Sequence, residues 1–175
     1  MIPTQNSHIL IVDDNPENIH VLGSSLRQQN YQLAIAQSGS QALKAVEEFK
    51  PDLILLDVMM PEVDGFKVCE TLKNNPRTKD IEVIFLTAAV AHSDELKGLA
   101  LGAVDYIHKP FSIPIVQAKV ALHLERVHHK RLREDVERIT RHDLKGPLAA
   151  ALGLVQGVIS SVQLDPTHKR QLQLA

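Results

Sequence analysis

Short apolar runs recur along the first two thirds of the chain, at residues 8–12, 32–36, 52–56, 81–86 and 104–107. They are rich in β-branched and aliphatic side chains, and three are nearly continuous in apolar character, as strands covered on both faces are. Between them, apolar residues step by three and four, the spacing of one helix face. Asn15 to Gln29 opens with an Asn before a Pro and carries Ile19, Leu22 and Leu26. Ser40 to Phe49 carries Ala42, Leu43, Val46 and Phe49 and stops before Pro51. Gly65 to Lys73 and Ser93 to Leu101 supply two more. Strand and helix alternating five times imply right-handed crossovers, and hence an α/β fold with a doubly wound, five-stranded parallel sheet.

In such a sheet, ligands bind beyond the carboxyl ends of the strands. Asp13, Asp14, Asp57, Thr87 and Lys109 each close one of the runs, so the topology gathers three carboxylates, a hydroxyl and an ammonium at one edge. Carboxylates within ~4 Å of each other repel by about 4 kcal/mol per pair at an effective dielectric of roughly 20. A hard divalent cation removes that repulsion. Magnesium suits the case because it binds through a few oxygens, keeps several waters and takes further ligands from a phosphoryl group. One carboxylate can then attack phosphorus, with the metal and Lys109 stabilising the equatorial oxygens of a loose transition state and the Thr87 hydroxyl bonding the product. Taken singly, each residue has a plainer reading: Asp13 and Asp14 as an acid pair at a helix N-terminus, Asp57 as a cap, Thr87 as a β-former. Five of them in one register favour a magnesium-dependent phosphoryl-accepting pocket.

After Lys109-Pro110 the pattern changes. Ser112 can cap a helix whose next stop signal is Gly146-Pro147. Val116, Val120, Leu124, Val127, Leu132, Val136 and Ile139 recur mostly at three or four, with a five-residue step after Val127, as in a coiled coil containing a discontinuity. The basic cluster at 126–133 is followed directly by Glu134, Asp135 and Glu137, which reads as a solvated helix face rather than a nucleic-acid arm.

Composition narrows the class only modestly. The chain has 175 residues, 44% of them hydrophobic, enough for one normal core and an appendage, and its formal charge of -2 offers no general attraction to nucleic acid. A single cysteine, Cys69, excludes a disulfide framework and shares a helical stripe with Phe66 and Leu72, so a buried apolar role is expected. No stretch approaches a membrane span and the first residues lack signal-peptide character, so a cytoplasmic location is expected. Eight histidines, His123 among them, have no metal-ligand spacing and read as solvated or partly packed; His142 is the exception.

The segments "ILIVDDNPEN", "PDLILLDVMMPEVDGFKVC", "VIFLTAAV" and "GAVDYIHKPF" together resemble the receiver domain of two-component response regulators, in the right order over residues 8 to about 124. The resemblance implies a flavodoxin-like sheet of order 2-1-3-4-5 and assigns roles residue by residue. Asp57 is then the phosphoacceptor, Asp14 binds magnesium directly, Asp13 mostly through water, and the Met59 carbonyl completes the protein ligands. Thr87 and Tyr106 form the switch pair, Lys109 contacts the phosphoryl group, and Lys109-Pro110 is a cis peptide. The implied donor is a histidine kinase or phosphotransfer protein.

Further on, "ERITRHDLKGPLAAALGLVQGVISS" resembles the phosphoacceptor box of a histidine kinase dimerisation and phosphotransfer domain, with His142 as acceptor, Asp143 as its base and Pro147 bending the helix. Gly146 departs from the Thr or Asn of members with phosphatase activity. A second hairpin helix is expected from Thr167, and a homodimer through the C-terminal helices. The domains so read are 1–124, a receiver, and 125–175, a coiled-coil linker with a partial helical hairpin. No ATP site follows, which suggests a fragment of a hybrid sensor histidine kinase. The alternative is a stand-alone response regulator whose helical tail serves only dimerisation or partner binding. A haloacid dehalogenase-type phosphatase would need an Asp at Met59, and a flavodoxin-like phosphate loop would meet repulsion from Asp13 and Asp14.

Overall fold

The computed structural model describes the backbone of residues 7–88 and 97–163 and, within the last helix, the side chains of residues 113–139 and 149–158. Five strands, β1 (His8–Val12), β2 (Gln32–Ala36), β3 (Leu53–Asp57), β4 (Glu82–Thr87) and β5 (Asp105–His108), form one parallel sheet in the order β2-β1-β3-β4-β5. Between them run α1 (Pro16–Arg27), α2 (Gly39–Phe49) and α3 (Gly65–Asn74), then a helical turn at 97–100, labelled α4; α5 (Ile113–Gln163) follows β5. The start of the helix expected from Ser93 lies outside the described residues.

The period of two along each strand divides the core. Leu10, Ile54, Leu56, Val83 and Phe85 pack with Ala42 and Val46 of α2 and Val68, Cys69 and Leu72 of α3. Ile9, Ile11, Leu53, Leu55, Ile84 and Leu86 pack with Ile19, Leu22 and Leu26 of α1 and Val116, Val120 and Leu124 of α5. Both faces of the three central strands are therefore buried, which is why their sequences are continuous in apolar residues rather than alternating.

Caps set the helix starts. The Asn15 side chain accepts from the Glu17 N–H at 2.9 Å, Ser38 from Gln41 at 3.2 Å and Asp64 from Lys67 at 2.7 Å, each satisfying an amide that the first turn leaves without a partner. Thus α1 begins after Asn15 and α2 one residue before Ser40. Strands β3, β4 and β5 each run one residue later than their apolar runs. Asp57 and Thr87 are themselves the last ladder residues, opposite Leu86 and His108. Asp52 instead stays outside β3 and accepts the His8 N–H at 2.8 Å.

The buried stripe of α5 ends at Val127, whereas Leu132, Val136 and Ile139 are more than half exposed. The helix does not stop at Gly146-Pro147 but continues to Gln163. A proline withholds one amide and crowds the preceding turn, which weakens a helix without obliging it to end. By compactness the chain divides into Met1–His129 and Lys130–Ala175. The second hairpin helix expected from Thr167 lies outside the described residues.

The loop joining β3 to α3 is held tightly at Gly65, whose N–H donates to the Val58 carbonyl at 3.0 Å. A Cβ there would collide with the Asp57 carbonyl oxygen and lie 2.9 Å from its carbonyl carbon and 3.0 Å from Val58 Cα, all main-chain atoms. Gly65→Ala is expected to lower stability by roughly 1–3 kcal/mol, the usual cost of overpacking, as read from the midpoint of urea unfolding.

Candidate functional site

Parallel strands bring their carboxyl ends to one edge, and there the structure gathers Asp13, Asp14 and Asp57. Their carboxylates offer oxygens that lie within 4.8 Å of one another. Asp13 follows β1 and is wholly buried, Asp57 ends β3 and is 3% exposed, and Asp14 faces solvent. Lys109 follows β5, its main-chain N–H donating to the Thr87 carbonyl at 2.8 Å. Its ammonium lies 2.8 Å from a carboxylate oxygen of Asp13 and 2.8 Å from one of Asp57. The Lys109-Pro110 peptide is cis.

Asp13 is further fixed by Asn18 on the first turns of α1, whose amide nitrogen donates to both Asp13 oxygens at 3.0 Å, and by the Asn15 N–H at 2.9 Å. Sequence reading missed Asn18. Its position five residues after Asp13, on the turn above the sheet edge, was the available signal. Asp57 accepts the Met59 N–H at 3.2 Å, which bends the chain away from the strand, and the Met59 side chain points outward, 72% exposed.

Burial raises the Asp57 carboxyl above the ordinary range; the Lys109 bond draws it back and the Asp13 charge adds to the rise. Burial also works against the Lys109 ammonium, but the bonds from it to Asp13 and Asp57 prevail and hold its pKa above the usual lysine value. Three carboxylates face one ammonium, so the cluster retains two negative charges when all are ionised. Hard oxygen donors with that residual charge fit a small divalent cation.

Thr87 ends β4 and is 4% exposed. Tyr106 is half-buried on β5, its ring stacked on Phe85 with centroids 6.4 Å apart. Thr87 and Lys109 therefore border the acidic cluster, while Tyr106 joins the core beneath α4. His142 and Asp143 belong to the second compact unit as backbone of α5, and their side chains lie outside the described residues.

Asp57→Asn removes one charge from a crowded, desolvated cluster. Without divalent cation the variant is expected to melt a few degrees above the wild type, equivalent to about 1 kcal/mol. Added magnesium should then stabilise it less than the wild type, as read by differential scanning calorimetry.

Comparison with known proteins agrees with this architecture. Residues 9–121 match the family model of the response regulator receiver domain. The chain is 46% identical over 117 residues, 67% of its length, to a protein of Vibrio cholerae described as a probable cyclic di-GMP phosphodiesterase, and covers 26% of that protein. It is 34% identical over 172 residues, 96% of its length, to the response regulator PleD of Caulobacter vibrioides, and covers 37% of it. The chain thus spans about a quarter to just over a third of these relatives. Among solved structures, the receiver domain of a signal transduction histidine kinase from Syntrophus aciditrophicus superposes with a TM-score of 0.60 at 36% identity, over 69% of this chain and 89% of that one. With its sheet order, its acidic edge and its family match, the chain belongs to the receiver domains of two-component response regulators.

Proposed function

We propose that this chain accepts a phosphoryl group on Asp57 and passes the resulting change of state into α5. The observation that carries the proposal is the convergence of Asp13, Asp14 and Asp57 with Lys109, which is bonded to the two buried carboxylates. Asp14, Asp57 and the Met59 carbonyl, with Asp13 mostly through water, would hold magnesium, which when bound offsets the carboxylate repulsion and the charge on an incoming phosphoryl group. The chain's own groups do the rest. Asp57 presents a carboxylate oxygen in line with the phosphorus of a small donor or a phosphohistidine, a P–O bond forms, and the donor leaves with its bonding electrons. Lys109 turns from a carboxylate partner into a ligand of the phosphoryl oxygens. Thr87, at the adjoining strand end, then donates its hydroxyl to the product, and Tyr106 follows inward, changing the surface made by α4, β5 and α5. New charge-assisted bonds to a group carrying nearly two negative charges drive that shift.

For the tail, the reading is a coiled-coil linker and phosphotransfer segment over 125–175, with His142 as phosphoacceptor and Asp143 as its base, as in a hybrid histidine kinase. The sequence around His142 supports it, as does the resemblance to a histidine kinase receiver. A second reading, a response regulator whose helical tail dimerises or binds a partner, is favoured by the alignment with PleD, which runs over 96% of the chain. The first reading, and the dimerising form of the second, use a second copy of the chain. Leu132, Val136 and Ile139 present a stripe at a spacing of four and three with more than half of each side chain exposed, and a parallel homodimer would cover it. Among the described residues no helix is long and apolar enough to cross a membrane.

Acetyl phosphate with magnesium is expected to label the wild type on one residue, and Asp57→Asn to abolish the label; mass spectrometry locates it. Label persisting elsewhere would sink the assignment. By sedimentation at micromolar concentration the intact chain should be dimeric and a chain cut after His129 monomeric. A dimer that survives the cut would place the contact on the receiver instead.

A further inference from the structure

At the other end of the sheet, away from the acidic edge, lies a second group of charged side chains that phosphoryl chemistry does not use. Glu82 is the first residue of β4 and Asp105 the first of β5. His123, on the first turns of α5, is 2% exposed and stands within the same buried stripe as Val116, Val120, Leu124 and Val127. Its Nδ1 lies 2.9 Å from a Glu82 carboxylate oxygen and its Nε2 3.2 Å from one of Asp105. One turn earlier, the Lys119 ammonium donates to the other Asp105 oxygen at 2.6 Å and to the Tyr106 carbonyl at 2.7 Å. Asp52, just before β3, is the next carboxylate along this edge and accepts the His8 N–H.

An ionised carboxylate only accepts hydrogen bonds. Asp105 is held as a carboxylate: burial would raise its pKa, but the bonds from Lys119, the Tyr106 N–H and His123 lower it below the usual range. A ring placed between two such acceptors satisfies both only when both nitrogens carry hydrogen, which makes it a cation. Two carboxylates then face two cations, Lys119 and His123, and the group is neutral. A neutral ring, itself buried, would turn a lone pair toward one of the two carboxylates, leaving one charge uncompensated.

We propose that His123 is an imidazolium clamp that ties the root of α5 to the starting ends of β4 and β5, one ring nitrogen donating to the first residue of each strand. Each strand is thus bonded to the helix through its own carboxylate, and Asp105 is shared with Lys119 one turn earlier. The sheet holds the helix that leaves it by charge as well as by packing.

Nitrogen-15 shifts of the ring in the full chain at neutral pH read the proposal directly. Both His123 nitrogens are expected at positions typical of protonated nitrogen, with His123→Gln supplying the assignment. One nitrogen at an unprotonated position would overturn it. Hydrogen exchange adds a second reading. Protection of the amides from Val116 to Val127 at neutral pH should fall about tenfold in Asp105→Asn, which keeps the shape but not the charge that the ring and Lys119 share, the worth of one hydrogen bond to a charged group. His128→Gln, which loses only the contact of the His128 Nε2 with Ser7 Oγ at 2.9 Å, is the control and should keep wild-type protection. Protection unchanged in Asp105→Asn, or lost equally in His128→Gln, would refute the clamp even if His123→Gln fails to fold.

Discussion

Two carboxylates withdrawn from water at the end of a parallel sheet must share a cation, and the Lys109 ammonium, 2.8 Å from each, is that cation. An unpaired buried charge would cost several kcal/mol, so the strand order and the turn after β5 are constrained by where this one nitrogen must stand. Lys109 is carried there by the main chain, whose N–H is tied to Thr87 across the β4 and β5 ends. The same bond that satisfies the lysine's backbone thus fixes the threonine's neighbour. Charge balance at the edge and register in the sheet are one requirement seen from two sides.

The central strands were readable because residues covered on both faces must be apolar at every position, which leaves little else for such a run to be. Their last residues were harder, since a polar side chain can occupy the final rung of a ladder when its tip reaches past the edge; hence Asp57 and Thr87 belong to β3 and β4 rather than following them. The acidic cluster was legible because each member lies beside an apolar run. Asn18 was not, because what makes it a partner of Asp13 is the orientation of a carboxylate rather than any periodicity.

His123 shows the limit of local reading. In the sequence, flanked by Leu122 and Leu124, it reads as solvated or partly packed, and the structure buries it. Its partners are Glu82 and Asp105, 41 and 18 residues away, and no local window contains either. On α5, likewise, the apolar spacing is continuous but its meaning changes at Val127. Before that point the stripe faces a sheet; after it, the same spacing lies in solvent. Periodicity reports that a helix has a face to cover and is silent about what covers it. Gly146-Pro147, read as a stop, lies within α5, since a glycine and a proline weaken a helix without obliging it to end.

The loop between β3 and α3 is gripped by glycine on two sides. Gly65 abuts the Asp57 carbonyl, and a Cβ on Gly39 of α2 would lie 2.7 Å from the Val63 carbonyl oxygen. At Gly65 main chain rests on main chain with no side chain as spacer, and at Gly39 the Val63 carbonyl is joined by the Val63 and Val68 side chains. Met59 and Glu62, by contrast, turn their side chains to solvent, Glu62 from a left-handed backbone at φ 64°. The inner side of the loop is thus set by close packing around two glycines and the outer side by exposed side chains, so substitutions at these outward positions can alter what an approaching molecule meets while Asp57 keeps its place. A lineage could exchange its interlocutors there without having to rebuild its chemistry.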